Sequence, residues 1–423
     1  MRILIVSTNL PVPPNNGQAI RTLSIVRALA AMGHELVFIS FASEVRPATL
    51  EPLSRICREI GLVERARLTN VSEQAEYLRR LQCLISCRSY SIERFRSAAM
   101  RAKMEAHLNR SVFDLIVCDS IYALVNVPRT NVPIALNCHN AEHIIFQRYA
   151  QTEENLARKL YSGIESHLVA KAERRGCHRA AIAMACSEND RDVLRRLHPT
   201  IPIFVVPNAV DTDWIPAEEN HKADNKAPVL LFQGGMDWYP NRDAVHYFAE
   251  SILPLVRAEC PSVRFVVAGR NPAIRFVEKY RNNHNIEFTG TVPDMRPYVS
   301  AATVAVVPLR LGSGTRIKIL EAGAAGKPVV STRIGAEGLD LEEGKEILLA
   351  DSPPEFARSV IQLLRDPARR DSIGSAARAA IVELYSQRAL RCSLQAAISS
   401  FAGTHTSAAI HRVDSSLEHS IER

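Results

Sequence analysis

The stretch Leu311–Ser331, LGSGTRIKILEAGAAGKPVVS, decides how the rest of the chain is read. Its glycine turn opens onto an apolar-periodic segment, Thr315–Ala325, which predicts a helix whose first residues carry Arg316 and Lys318, with Glu321 one turn further on. A helix start offers free backbone N–H groups and a positive dipole end, and two cations beside them suit a diphosphate. A carboxylate one turn deeper accepts hydrogen bonds from a ribose diol. Gly326 ends the helix, and Lys327, Pro328, Val329 and Val330 lead into an apolar run that reads as a buried parallel strand. The ligand these residues imply is a nucleotide carrying a sugar.

On both sides of this stretch, apolar strands alternate with helical segments. The strands expected in the second half are Val229–Phe232, Val263–Ala268, Ile286–Thr289, Val304–Val307, Val329–Thr332 and Ile347–Leu349, with helices at Arg242–Ala258, Ile274–Tyr280 and Met295–Ala301. Those of the first half are Ile3–Ser7, Glu35–Ser40, Asp114–Cys118, Ile134–Asn137, Ile182–Cys186 and Ile203–Val206. Long helices are expected at Ala19–Met32, closed by Gly33, at Glu73–Leu108 and at Glu153–His178. Two such series imply an α/β chain of two Rossmann-like, doubly wound parallel-sheet domains, facing a central cleft at the carboxyl edges of their strands.

The expected divisions are an acceptor domain at 1–207, a polar linker at 208–228, a donor domain at 229–380, a helix at 381–402 returning to the first domain, and a mobile tail at 403–423.

At 423 residues the chain is too long for one ordinary core, and 47% hydrophobic with 23% charged residues excludes disordered and fibrous classes. No apolar run reaches the roughly 20 residues that span a bilayer. MRILIVSTNL, followed by prolines, reads as a first core strand rather than a signal peptide. Nine cysteines without metal-type pairs point to reduced thiols in a cytoplasmic protein, Cys83 and Cys87 reading as small apolar helix residues. The net charge of +7 is uneven: residues 1–210 hold 27 Lys+Arg against 19 Asp+Glu. Within them, Glu73–Arg110 carries eight cations against four acids, interleaved with Tyr77, Leu81, Leu84, Ile85, Tyr90 and Phe95. Such a segment lies on an anionic membrane surface or is simply a solvated helical face.

Around Arg316–Glu321 the chain resembles the family-4 group of retaining glycosyltransferases with the GT-B fold, over nearly its whole length up to Phe401. The stretches that carry the resemblance, in the family's order, are PVPPNNGQAIRTLSIVRALAAMGHELVFIS (11–40), VVPNAVDTDW (205–214), FQGGMDWYPNRDAVHYF (232–248), FVVAGRNP (265–272) and FTGTVPDMRPYVSAATVAVVPL (288–309).

What the resemblance implies is assigned position by position. Glu321 matches the second acid of the family's Glu-x7-Glu pair, which binds the ribose. Ser313 stands where the first acid helps hold the donor sugar, with Gly314 and Thr315 beside it. The loop Gly234–Trp238, whose Gly235 approaches the donor, lacks the family's early phosphate-clamping cation. Arg316 and Lys318 take that role, with Arg242 and Arg270 as further candidates. Gly17 brings backbone close to the donor phosphate. Arg21 faces phosphate or acceptor, or is an exposed helical arginine. His139 steadies the developing oxocarbenium ion and the acceptor hydroxyl, and Glu142 is the nearest acceptor-side carboxylate. Thr291 and Val292 meet the base through backbone groups.

The reaction implied is transfer of a sugar, with retention, from a UDP- or GDP-type nucleoside diphosphate sugar to a glycan or lipid-linked acceptor in surface-polysaccharide assembly. It needs no metal and no cofactor; Asp211-Thr212-Asp213 falls in the linker and reads as an ordering motif. Expected partners are the nucleotide sugar, the acceptor and an anionic membrane surface at the cytoplasmic face through the segment 73–110, and no nucleic acid. A nucleotide-sugar epimerase, a phosphorylase of the same architecture and a non-catalytic sugar-nucleotide scaffold are the competing readings.

Overall fold

The computed structural model describes residues 1–42, 45–64, 73–213, 227–312 and 314–400; Ser313, residues 214–226 of the linker and the tail lie outside the described residues. Seven strands, β1 (Arg2–Ser7), β2 (Glu35–Ala42), β3 (Glu59–Glu64), β4 (Leu115–Asp119), β5 (Ile134–Asn137), β6 (Ile182–Ala185) and β7 (Ile203–Val205), form the first sheet. Its order is β3-β2-β1-β4-β5-β6-β7, parallel throughout. The second sheet holds β8 (Val229–Gln233), β9 (Arg264–Ala268), β10 (Ile286–Gly290), β11 (Val304–Val307), β12 (Val329–Ser331) and β13 (Leu348–Leu349). It too is parallel, in the order β10-β9-β8-β11-β12-β13. The strand order reverses once in each sheet, between β1 and β4 and between β8 and β11, and there a crevice opens at the carboxyl ends.

The central strands are apolar because both of their faces are covered by helices. Ile3–Val6 and Leu230–Phe232 are almost completely buried, so alternation vanishes from their sequence. The edge strand β3, EIGLVE, is half-exposed and lacks a continuous apolar run, which is why periodicity alone does not single it out.

Three helical expectations are corrected. The segment Glu73–Leu108 is not one helix but three, Glu73–Ile85, Tyr90–Glu93 and Ala98–Arg110. Cys87 takes a left-handed φ of 48°, and the side chains of Ser89 and Ser97 accept from the backbone N–H of Ile92 and Met100, so each serine starts a new helix. Helix Arg242–Ala258 is Tyr239–Tyr247, one wide π turn at Phe248–Ile252, and Leu253–Glu259. Pro254, which has no N–H to return to the preceding turn, sits just after the wide turn. Near the carboxyl end, the helix Pro367–Tyr385 stays with the second sheet, burying Ile381 and Tyr385 against the helix Ile317–Ala324. The chain therefore crosses back at Ser386, where the Val210 N–H donates to the Tyr385 carbonyl at 3.0 Å, and not at 381. Residues 387–400 are helical and bury Leu390, Leu394, Ala397 and Ile398 among Ile3, Ile5 and Leu23 of the first domain.

Candidate active site at the interdomain cleft

On the donor side, β11 runs through residues 308–316 into the helix Ile317–Ala324. Gly314 has φ +78°, a left-handed backbone that a side chain makes costly. Arg316 is the residue before the first helical turn, not within it, and its guanidinium folds back onto the Gly314 carbonyl at 2.5 Å. Lys318 Nζ donates to Asn241 Oδ1 at 2.9 Å and lies 4.0 Å above the centre of the Phe232 ring. Glu321 accepts from the Gln233 amide at the end of β8. Gly234 is where β8 passes these cations: a Cβ there would lie 3.0 Å from Lys318 Nζ.

Crowding sets the charges of this cluster. Burial pushes the Lys318 ammonium down to about 7, the Arg316 guanidinium adding to the effect and Glu321 opposing it. Burial likewise lifts Glu321 to about 7, against the Gln233 hydrogen bond and Lys318. Arg316 is lowered to about 10 by burial, with Glu337 opposing and Arg148 adding. Two partly desolvated cations above a helix start form a site that gains by taking in an anion.

On the facing side, the strand ends of the first sheet build a polar network around Asp119, the last residue of β4. Its carboxylate, 1% exposed, accepts from the Ser7 and Thr22 hydroxyls, from Asn137 Nδ2 at 2.7 Å, and meets His139 Nε2 at 2.8 Å. Burial raises this carboxyl, but the interaction with His139 and the hydroxyl hydrogen bonds outweigh it and hold it at about 2. The loop after β5 is pinned from behind. Cys186 donates to the His139 carbonyl, the Ala141 N–H donates to Asp190, and the Glu142 N–H donates to Glu173 at 2.7 Å. The helix Glu142–Thr152 lacks a side-chain cap of its own, so Glu173 and Asp190 supply the acceptors its first N–H groups need. Glu142 itself is buried, accepting from Tyr122 and Asn140, and burial together with Glu173 raises it to about 7.

The two sides touch at several points. Arg148 spans the cleft, holding both Glu337 oxygens at 2.6 Å and reaching the Gly312 carbonyl. Asn208 donates to the Thr315 hydroxyl, and Arg270 Nη1 donates to Asn15 Oδ1 at 3.0 Å. A Cβ on Gly314 would lie 1.9 Å from Asn140 Oδ1, and one on Gly17 would lie 3.5 Å from Ile317 Cδ1.

The structure thus gathers Gly234, Gly235, Gly314, Thr315, Arg316, Lys318 and Glu321 on one wall, and His139 with Asn140 on the other. Arg270 stands beside Gly235 but is paired with Asp237 at 3.2 Å. Thr291 and Val292 follow β10, an edge strand two places from β8.

Arg21 is corrected outright. It is 2% exposed, and its guanidinium is spent on Asn137 Oδ1, the Val206 carbonyl and Asn208 Oδ1, so it braces the strand ends from beneath and does not face an acceptor. Arg242 donates to the Met236 carbonyl of its own loop. Asp119, Arg148 and Glu337 were not expected. Asp119 had a signal, a carboxylate ending a buried apolar strand; Arg148 and Glu337 are 189 residues apart and had none.

Comparison with known proteins bears on the family and the fold. Residues 15–214 match the family model described as Glycosyltransferase Family 4, and residues 227–366 match that described as Glycosyl transferases group 1. An uncharacterized 44.6 kDa protein in the cps region of Klebsiella pneumoniae is 22% identical over 92% of this chain and 97% of its own length. A lipopolysaccharide core biosynthesis glycosyltransferase of Rhizobium meliloti is 26% identical over 44% of this chain and 55% of its own. The Anabaena protein HepE, solved with UDP and glucose, shares the fold with a TM-score of 0.63 at 15% identity, over 95% of this chain and 100% of that one. The chain, matched in both of its halves, belongs to the GT-B glycosyltransferases that join a Family 4 amino-terminal half to a group 1 carboxyl-terminal half.

Proposed function

We propose that the protein transfers a sugar, with retention at the anomeric carbon, from a UDP- or GDP-type nucleoside diphosphate sugar to a glycan or lipid-linked acceptor in surface-polysaccharide synthesis. The observation that carries this reading is the set Arg316, Lys318 and Glu321 at one helix start, facing His139 across the cleft. The two cations and the helix N–H groups receive the charge of the departing diphosphate, and Glu321 accepts from the ribose hydroxyls. Because those cations supply the positive charge, a divalent metal is not required.

His139, oriented by Asp119, sits where the acceptor hydroxyl approaches. A front-face displacement, in which the leaving phosphate takes the acceptor's proton, fits a wall whose carboxylates, Asp119 and Glu142, are both buried. The relatives named above support the polysaccharide setting and the UDP-type donor. The basic first half supports work at an anionic membrane surface on the cytoplasmic side, and no helix among the described residues is long and apolar enough to cross a membrane.

A thermal-shift screen of nucleotide sugars identifies the donor, since a ligand that binds the native state raises its melting point. With that donor, Arg316→Ala and Lys318→Ala should each lower turnover by about 10²-fold or more. Glu321→Ala should chiefly weaken donor binding, and turnover should survive EDTA. Wild-type rates in both cation variants sink the assignment, and binding of the donor without transfer to any lipid or glycan extract favours a scaffold instead.

A further inference from the structure

Of the fourteen large apolar side chains exposed among the described residues, seven lie on two helices of the first domain. On Glu73–Ile85 they are Tyr77, Leu78, Leu81 and Ile85; on Leu156–Arg179 they are Leu156, Leu160 and Ile164. Spacings of three and four residues put each set on a single helix face. A helix of a globular protein turns such a face inward. Here both faces meet solvent, with Ile85 75% and Leu156 70% exposed, while the second helix buries Glu165 and Val169 on its other side.

Arg80 brings the two helices together. It is bonded to Glu76 at 2.5 Å, and its guanidinium lies 5.3 Å from the Tyr90 ring and 5.8 Å from the Tyr161 ring. The stripes therefore belong to one patch. Arg79, Arg88, Arg158 and Lys159 are exposed around it; the neighbouring Glu153 accepts from the Asn155 N–H.

We infer that this two-helix patch is the face by which the protein docks on an anionic lipid bilayer, its apolar residues entering the interfacial region and its cations meeting lipid phosphates. The inference rests on the reading above that the protein works at a membrane surface, and it assigns the face. Apolar stripes rimmed by cations match the boundary between acyl chains and headgroups, whereas a soluble polyanion would leave the leucines in water. The patch is also placed for the reaction. Its second helix is the partner of Glu142–Thr152, whose Arg148 reaches across the cleft and whose Tyr149 ring lies 6.1 Å from that of Tyr239 in the donor domain. A bilayer held there lies at the cleft mouth, where a lipid-anchored acceptor presents its hydroxyl.

The test is flotation of the full chain with vesicles of phosphatidylcholine alone or mixed equally with phosphatidylglycerol. The wild type should float with the anionic vesicles only, and less at high salt. Leu156→Ser, Leu160→Ser and Ile164→Ser combined should lower partitioning by about 100-fold, as should Leu78→Ser, Leu81→Ser and Ile85→Ser combined. Both triple variants should keep the wild-type melting point and the shift produced by UDP, since the changed residues face solvent. A wild type that ignores anionic vesicles overturns the membrane reading as well as this face. A wild type that floats while both triple variants float equally well overturns the face alone. Dimers that the triple changes dissociate, with vesicle binding unaffected, make the patch a contact between copies and also overturn it.

Discussion

Gly314→Ala tests the idea that chemistry requires the two walls to meet as they do here. Alanine at φ +78° costs about 1 kcal/mol before any contact is considered. Its Cβ would then stand 1.9 Å from Asn140 Oδ1, far inside the closest separation side chains accept. Either the walls part by about 1 Å, or Asn140 swings aside and gives up its 3.2 Å hydrogen bond to the Glu142 carboxyl, worth roughly 1.5–3 kcal/mol if that group is charged. The closed arrangement is thereby disfavoured by about 2–4 kcal/mol in all, and a 1 Å misplacement of reacting groups is itself worth about 10² in rate.

The expected outcome is turnover lowered by about 100-fold with the melting point little changed, because Gly314 and Asn140 belong to none of the buried hydrophobic clusters. Steady-state transfer assays and differential scanning fluorimetry on the same preparations measure both quantities. Adding Asn140→Ala removes the nearest obstacle and leaves the His139 carbonyl at 3.3 Å, so the double variant should recover to within about tenfold of wild type. A single variant with an unchanged rate, or a double variant with no recovery, refutes the reasoning.

Two further predictions concern charge. Lys318 is lowered to about 7 and a bound diphosphate favours its ammonium, so binding takes up a proton; UDP affinity should fall by up to about tenfold per pH unit above pH 7. Glu321, raised to about 7, accepts most strongly from the ribose when ionised, so affinity should fall on the acid side as well. Calorimetric titrations across pH should trace a maximum near neutrality, and Lys318→Met should remove the alkaline limb; a flat profile in the wild type contradicts the assignment. Asp119→Ala removes the buried carboxylate that Ser7, Thr22, Asn137 and His139 share, leaving the two hydroxyls only the Asn9 and Gln18 carbonyls, costing about 3–5 kcal/mol and lowering the melting point by about 10 °C. Since the folded carboxyl lies at about 2, below its ordinary 3.8, its stabilising share is complete at neutral pH and lost as pH falls from about 4 toward 2. An unchanged melting point removes the network's structural role.

Legibility in the sequence followed burial and locality. Central strands such as Ile3–Val6 and Val304–Val307 are apolar on both faces and stand out as runs, while β3 at an edge carries half the signal and does not. The donor wall was readable because Gly314, Arg316, Lys318 and Glu321 lie within one short segment, so spacing alone places them together. The facing wall was not. Asp119, Asn137 and His139 converge only because β1, β4 and β5 are neighbours, and Arg148 meets Glu337 only because two domains close on each other. Arg21 shows the limit most plainly. One turn into a helix beside a glycine loop, it has the sequence setting of a phosphate ligand, yet its guanidinium bonds Asn137, Val206 and Asn208 beneath the cleft. Sequence spacing cannot tell a cation aimed at solvent from one consumed by its own scaffold.

The crossing at Ser386 makes the first domain discontinuous in the chain. Residues 1–207 hold all seven of its strands, but the helical residues 387–400, which cover Ile3, Ile5 and Leu23, follow the whole of the second domain in the chain. The second domain, synthesised later, is contiguous in sequence and can close its own core first, while the first waits for residues 387–400 to cover it. The two passages between domains run side by side at Val210 and Ser386, so the halves are joined at one double seam. A cut in either passage alone would leave the halves joined.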